Sequence, residues 1–429
     1  MVLPLVFKFY WDLLMTKSNS LFTPVLIAGS FILLIGFAVR ASFGLFQIPI
    51  AQEFGWLRAD FSMAIAIQNL AWGIGQPIFG AIAEKFGDRK AIVLGALCYA
   101  IGMSVSSFAV TPGQHYLLEV LVGFGIAGTG FGVILAVVGR ATSEKHRSLA
   151  LGIATAAGSA GQIVGPPFTQ MLLNHWPWQG TFVILAGVVL VTLFALPFLK
   201  APVNTPQQQL DESLGSVVNR AIRDKSFILI FIGFFSCGYQ LAFITAHFPA
   251  FITEMCSAIA PDSIVRSLGV SSTSGLGAFA IALVGVANIG GTILAGWLGS
   301  RYSRKYLLAI IYSLRTLVAS VFILLPITPT SVVLFSILMG ALWLATVPLT
   351  SGLVAQIYGL RYMGTLYGLV FFSHQLGGFM GVWLGGTMYD IYGNYTLVWW
   401  VGVGVGALSA VVHIPVDERP RAECKLAPA

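Results

Sequence analysis

The stretch GAIAEKFGDRK (80–90) returns in worn form as GWLGSRYSRK (296–305). Gly80 and Gly296 open the two copies at an offset of 216 residues, and Arg89–Lys90 and Arg304–Lys305 close them one position out of step. Gly152 and Gly368, Gly161 and Gly377, and Gly165 and Gly381 share the offset of 216. With 48 glycines one match says little, but a common offset near half of 429 residues points to a duplicated design. The polar stretch APVNTPQQQLDESLGSVVNRAIRDK (201–225) divides the copies.

Composition says what is duplicated. The chain is 57% hydrophobic and 9% charged, against roughly 25% charged in soluble domains. Long apolar runs at 22–50, 60–83, 90–109, 114–138, 148–172, 178–199, 226–252, 272–299, 305–325, 331–357, 362–388 and 394–415 are each able to cross a hydrocarbon core, which takes ~20 residues. The expected fold is an all-α membrane protein of twelve transmembrane helices in two six-helix halves. Its expected parts are a lead-in at 1–21, bundles at 22–199 and 226–415, a linker at 200–225 and a tail at 416–429. Placing both termini in the cytosol puts 19 of the 23 Lys and Arg on that side and only Arg58 and Arg266 outside. That asymmetry sets orientation, explains the net charge of +7, and removes any need for a nucleic-acid partner. A plasma (inner) membrane location is expected.

Other classes lack their marks. The four cysteines, Cys98, Cys237, Cys256 and Cys424, show no metal or redox spacing and read as structural. No HExxH, GxSxG or Walker loop is present, so neither an enzyme nor ATP-driven transport is expected. No metal or cofactor is expected. The N-terminal MVLPLVFKFYWDLLMTK carries Asp12 inside its apolar part and reads as an interfacial helix rather than a signal peptide.

At 80–90 the physics suggests a gate. Gly80 permits close helix approach, while Glu84, Gly87, Arg89 and Lys90 could form a charge latch at the cytosolic surface, with Arg301 and Arg304 in the second copy. This segment resembles the G-x-x-x-D-R/K-x-G-R-R/K loop of the major facilitator superfamily, with Glu84 in the acidic place; Ser300 and Ser303 replace the acid and a glycine in the second copy. The resemblance implies alternating access around a site between the halves. Spans five and eleven, GIATAAGSAGQIVGPP (152–167) and GLVFFSHQLGGFMGVWLGG (368–386), are glycine-rich and suit moving contacts. Pro166–Pro167 should bend or break the fifth.

The substrate-contacting candidates begin with Arg40 and Arg315, the two basic residues that topology leaves unexplained. A mid-membrane guanidinium costs about 2.5 kcal/mol on insertion scales, and neither has an acid at i±3 or i±4. Its fork suits a carboxylate. On a continuous helix Arg40 would share a face with Gly36, Phe37, Gly44 and Gln47, and Arg315 with Ile311, Tyr312 and Ala319. Gln68, Asn69 and Trp72, with Gln76, fit either a wet wall or interhelical bonding; Gln240, Tyr312 and His374 complete the set. Glu119, the one carboxylate well inside a span, could neutralise one arginine or carry a proton; His247 and His374 are further proton candidates.

The run 40–80 resembles the first two spans of the monocarboxylate transporter and oxalate–formate antiporter branch, and CGYQLAFITAHFPAF (237–251) resembles the seventh span of bacterial members. This implies a small organic anion, moved by proton symport or by exchange. Family members bind through basic residues of the second half, a role Arg315 matches by type. Two departures matter. Glu119 stands where drug–proton antiporters tend to carry a basic residue. Span eight, GAFAIALVGVANIGGTILAGW, lacks the Asp–Arg pair of eukaryotic members, so their proton scheme does not transfer. An exporter of amphipathic drugs or metabolites is the alternative, and a non-transporting sensor the outside class. A monomer is expected to function.

Overall fold

The structure is a computed structural model and describes residues 21–56, 58–200 and 213–421. The lead-in helix expected at the N-terminus, linker residues 201–212, Cys424 and Lys425 lie outside the described residues.

All regular elements among the described residues are helical. Span 1 is Pro24–Ala41, followed by a 3-10 turn at Phe43–Phe46 and a short helix at Gln47–Phe54. Span 2 is Arg58–Phe86, span 3 Asp88–Ser106, span 5 Glu144–Leu173 and span 6 Trp178–Val191, extended by Thr192–Phe198. Span 7 is Lys225–Met255, span 8 Thr273–Gly299, span 9 Arg304–Leu324, span 11 Met363–Tyr392 and span 12 Thr396–His413. Thr-Pro pairs start spans 1, 4 and 10: Thr23, Thr111 and Thr328 each accept a backbone N–H of the first turn.

Three expectations are corrected. Span 1 stops at Ala41, so Gly44 and Gln47 do not continue the face of Arg40. Spans 4 and 10 are each two helices, Pro112–Thr129 with Phe131–Ala141, and Pro329–Leu342 with Thr346–Tyr358. Conversely, of the bend or break expected at Pro166–Pro167 the break does not occur, since span 5 is one helix through both prolines; neighbouring groups in a membrane bundle can accommodate the amides that proline removes.

Ten spans are long and apolar enough to cross a bilayer by composition alone. The other two, spans 2 and 11, are 29 and 30 residues long but carry Gln68, Asn69, Gln76, His374 and Gln375. These two helices pack against each other, and spans 5 and 8 form a second seam. The more polar helices are therefore shielded by protein on one face.

The sequence offset reappears as contact geometry. A Cβ on Gly80 would lie 2.3 Å from the Gly364 carbonyl carbon, and one on Gly296 would lie 2.7 Å from the Ser148 oxygen. Adding 216 to Gly80 gives Gly296; subtracting it from Gly364 gives Ser148. Likewise Gly161 and Gly165 press on Leu34 and Ala38, as Gly377 and Gly381 press on Phe235 and Tyr239. The duplicated glycines thus occupy equivalent close approaches, where backbones meet without side chains between them.

The contacts between the halves gather at the end that carries the basic clusters. Gly80 meets Gly364 there, and Gly152 meets Gly296. The Phe131–Ala141 and Thr346–Tyr358 helices reach the opposite half, whereas Pro112–Thr129 and Pro329–Leu342 pack chiefly within their own.

Beyond span 12 the chain folds back under the second half. Glu418 accepts hydrogen bonds from the Lys305 N–H at 2.9 Å and the Ser303 hydroxyl at 2.6 Å, and Arg421 pairs with Asp224 at 2.8 Å and Asp417 at 3.0 Å. Burial alone would raise the Asp224 pKa, but the bonds from Arg421 and the Ser226 N–H outweigh it and hold it below the usual range. Asp417 is likewise held low, by Arg419 and Arg421. Carboxyls depressed in the folded state stabilise it at neutral pH and lose that contribution as pH falls from about 4 toward their folded values. Deuterium uptake by residues 414–421, corrected for intrinsic rate, should therefore rise on acidification through that window. Arg421→Ala should show the rise already at pH 7; a profile flat with pH and with mutation would rule out this clasp.

Candidate functional site

Arg40 lies at the C-terminal end of its helix, where the negative end of the helix dipole favours a cation. Its Nη2 donates to Asn69 Oδ1 at 2.8 Å, and its guanidinium carbon sits 4.7 Å from the centre of the Trp72 ring. Its Nε has no hydrogen-bond partner among the described residues. Asn69 and Trp72 are one turn apart on span 2, so the polar stripe read from sequence meets the arginine directly.

Arg315 is 0% exposed. Its hydrogen bond among the described residues runs from Nη1 to the Cys237 sulfur at 3.4 Å, and its guanidinium carbon lies 5.8 Å from the Tyr312 ring centre. Nε and Nη2 meet no acceptor among the described residues. Cys237 also lies 3.3 Å from the Thr346 hydroxyl and beside His374. Thr346 opens the second helix of span 10, so the positive end of a 13-residue helix points into the same place. Half-helix N-termini of this kind bind anionic groups in broken transporter spans.

Two side-chain amides stitch the broken helices. Gln76 Nε2 donates to the Ala127 carbonyl and its Oε1 accepts from the Gly132 N–H, both at 2.8 Å. Asn288 accepts from the Leu344 N–H at 2.9 Å and donates to Ser159 of the opposite half at 2.7 Å. These amides supply partners that an interrupted helix lacks.

A string of touching rings joins the two arginines. Trp72 lies 4.9 Å from Phe371, which stacks on His374 at 5.0 Å. His374 adjoins Cys237, the partner of Arg315. Among the described residues, the His374 ring faces the Cys237 sulfur but neither of its nitrogens meets an oxygen or nitrogen partner, and the Tyr367 hydroxyl and Trp72 Nε1 also lack one. Buried polar groups are rarely left so. Their concentration here is the mark of a site built to receive polar atoms.

The other candidates are engaged elsewhere. Gln68 donates to Glu119 at 2.6 Å, and His115 lies 3.8 Å from the same carboxyl; Glu119 thus faces an amide and an imidazole. Gln240 donates to the Gly402 carbonyl at 2.8 Å, tying span 7 to span 12. His247 contacts the Val382 carbonyl at 3.0 Å; Tyr312 stays beside Arg315, and its ring stacks on His413 at 5.2 Å. Glu84 accepts from the Thr365 N–H at 2.9 Å and from the Thr365 hydroxyl, across the seam. Its partners are on span 11 rather than in the Arg89–Lys90 cluster. Gly87 has φ +101°, a turn only glycine takes easily. Arg89 donates to the Leu199 and Pro197 carbonyls, Asp88 pairs with Arg140 at 2.5 Å, Arg301 lies over Trp297 and Arg304 donates to Gln356.

Sequence reasoning passed over His115, Cys237, Tyr367 and Thr365. His115 stands four residues before Glu119, a spacing that was visible. Nothing local marks the other three.

Two bundles repeated by pseudo-symmetry, broken spans and a seam with unpaired polar groups define a multi-pass membrane carrier. The chain belongs to the Major Facilitator Superfamily, whose family model matches residues 26–382 and 243–429. It is similar to an uncharacterized transporter of this superfamily from Bacillus subtilis, YcxA, 28% identical over 92% of this chain and 95% of that protein. Monocarboxylate transporter 13 of Bos taurus is 26% identical over 88% of this chain and 86% of its own length. Among solved structures, the proton:xylose symporter XylE covers 94% of this chain and 98% of its own, with TM-score 0.71 at 15% identity. The fucose transporter FucP covers 92% and 99%, with TM-score 0.68 at 16% identity. Both show the fold alone.

Proposed function

We propose that the chain moves a small organic anion, a monocarboxylate or dicarboxylate, by alternating access, with Arg315 and Arg40 as its charge partners. The observation that carries this reading is the fully buried Arg315 guanidinium, which among the described residues meets a thiol and no carboxylate. Kinship with monocarboxylate transporters supports it. A carboxylate from outside would supply the missing acceptors through two charge-assisted bonds.

The two halves, 22–199 and 226–415, rock about this site, in the membrane region where duplicated folds place substrates. The Glu84–Thr365 bonds and the Gly80–Gly364 contact hold one end shut. The basic end faces the cytosol, with both termini, across the plasma (inner) membrane. Glu119, faced by Gln68 and His115, is the proton carrier if uptake is symport; obligatory exchange needs none. The carrier works as a monomer.

Counterflow in proteoliposomes tests the reading. Internal unlabelled carboxylate should accelerate entry of labelled carboxylate several-fold, and neutral sugars should not. Exchange confined to neutral or cationic compounds would reject it.

A further inference from the structure

The two guanidiniums of the site are joined by a cluster of rings, three from each half. Phe37, Trp72 and Phe131 come from spans 1, 2 and 4; Phe234, Phe371 and His374 come from spans 7 and 11. Phe37 lies 4.5 Å from Phe131 and 5.8 Å from Trp72; Trp72 lies 4.9 Å from Phe371; Phe371 and Phe234 each lie 5.0 Å from His374. All six are buried. The Trp72–Phe371 pair spans the seam between halves, so these faces must part when the seam opens. Each half then carries an exposed aromatic wall, with Arg40 over Trp72 on one side and Cys237–Arg315 behind His374 on the other.

We infer that the preferred substrate is a carboxylate with a flat apolar body, an aromatic carboxylate, rather than a compact aliphatic acid. This inference rests on the anion-carrier reading and narrows it. As the halves part, Trp72 and Phe371 separate, and an aromatic ring between them would give each a new partner in the edge-to-face or offset geometry such rings favour. Its carboxylate would meet the free Nε and Nη2 of Arg315. A hydroxyl placed against the same ring faces would leave water for a surface of carbon, and burying a polar group without partners is unfavourable. Trp72 Nε1, the Tyr367 hydroxyl and the His374 imidazole are donors near those rings that meet no oxygen or nitrogen acceptor among the described residues; they can serve a polar ring substituent.

The test is a competition panel on purified wild-type protein in proteoliposomes. Benzoate, phenylacetate, acetate, lactate, oxalate and succinate are each assayed for counterflow. Benzoate or phenylacetate should exchange at least about tenfold more efficiently than acetate or lactate, the scale of one good ring–ring contact. Trp72→Ala and, separately, Phe371→Leu should reduce that aromatic-to-aliphatic ratio toward unity. Wild-type preference for lactate or succinate over the aromatic acids overturns the inference and leaves the anion-carrier reading standing. Exchange of no organic anion overturns both. Should either variant fail to fold, the wild-type panel still decides.

Discussion

Arg315→Ala is expected to abolish carboxylate uptake while the protein remains folded in the membrane and melts no earlier than wild type. The second half of that result is the informative one. A buried charge engaged in a structural pair is missed when removed, because its partner is left unpaired at a cost of about 3–5 kcal/mol. Arg315 has no carboxylate partner among the described residues; its hydrogen bond is to the Cys237 sulfur. Removing it also removes the burial cost of a guanidinium, about 2.5 kcal/mol at mid-membrane. A dead but stable variant is therefore the signature of a substrate-binding arginine. Arg315→Lys keeps a charge but loses the planar fork, and should lower apparent affinity by about ten- to hundredfold, the worth of one charged hydrogen bond. Arg40→Ala should also block uptake, with some loss of stability, since Asn69 would lose its 2.8 Å partner. Normal uptake by both alanine variants would remove the arginines from the mechanism; thermal collapse of Arg315→Ala would make that residue structural.

Gly80→Ala and Gly238→Ala should fail in opposite ways. A Cβ at Gly80 would stand 2.3 Å from the backbone of Gly364, across the seam between halves. One at Gly238 would stand 1.6 Å from the His374 carbonyl oxygen, between spans 7 and 11 of one half. The seam must open in each cycle and the intra-half contact need not. Gly80→Ala should therefore yield folded protein that cannot close its basic end, with transport lost and cysteine labels near residues 84 and 365 reactive at that end. Gly238→Ala should yield little folded protein, since helix backbones held at that distance cannot part without repacking the bundle. Equal yields and equal transport for the two would contradict the division into moving and fixed contacts.

The duplicated fold was legible because its signals repeat. Charge asymmetry, span length and the offset of 216 residues each sum over many positions, and single exceptions do not disturb them. The breaks in spans 4 and 10 were not legible. Gly130 is one of many glycines, and Trp343–Ala345 contains no breaker at all; Asn288, from span 8, satisfies the backbone there. Arg40 and its stripe on span 2 could be read because an amide and an indole one turn apart share a face. The surroundings of Arg315 could not, since Cys237 and His374 lie on other helices. The Glu84 latch was read from neighbours in sequence, whereas its hydrogen bonds cross to Thr365, 281 positions on.

Spans 2 and 11 fall outside the set of helices apolar enough to cross a bilayer by composition, and they pack against each other. That pairing has a consequence for biogenesis. Span 2 leaves the ribosome long before span 11 exists, carrying Gln68, Asn69 and Gln76 on a helix whose partner has yet to be made. Lipid offers those amides nothing to bond. Glu119 and Ala127 on span 4 can satisfy Gln68 and Gln76 early, and Arg40 can satisfy Asn69. The first half thus brings its own interim partners, and the face that contacts span 11, with Gly73 and Gly80 on it, waits for the second half to be synthesised.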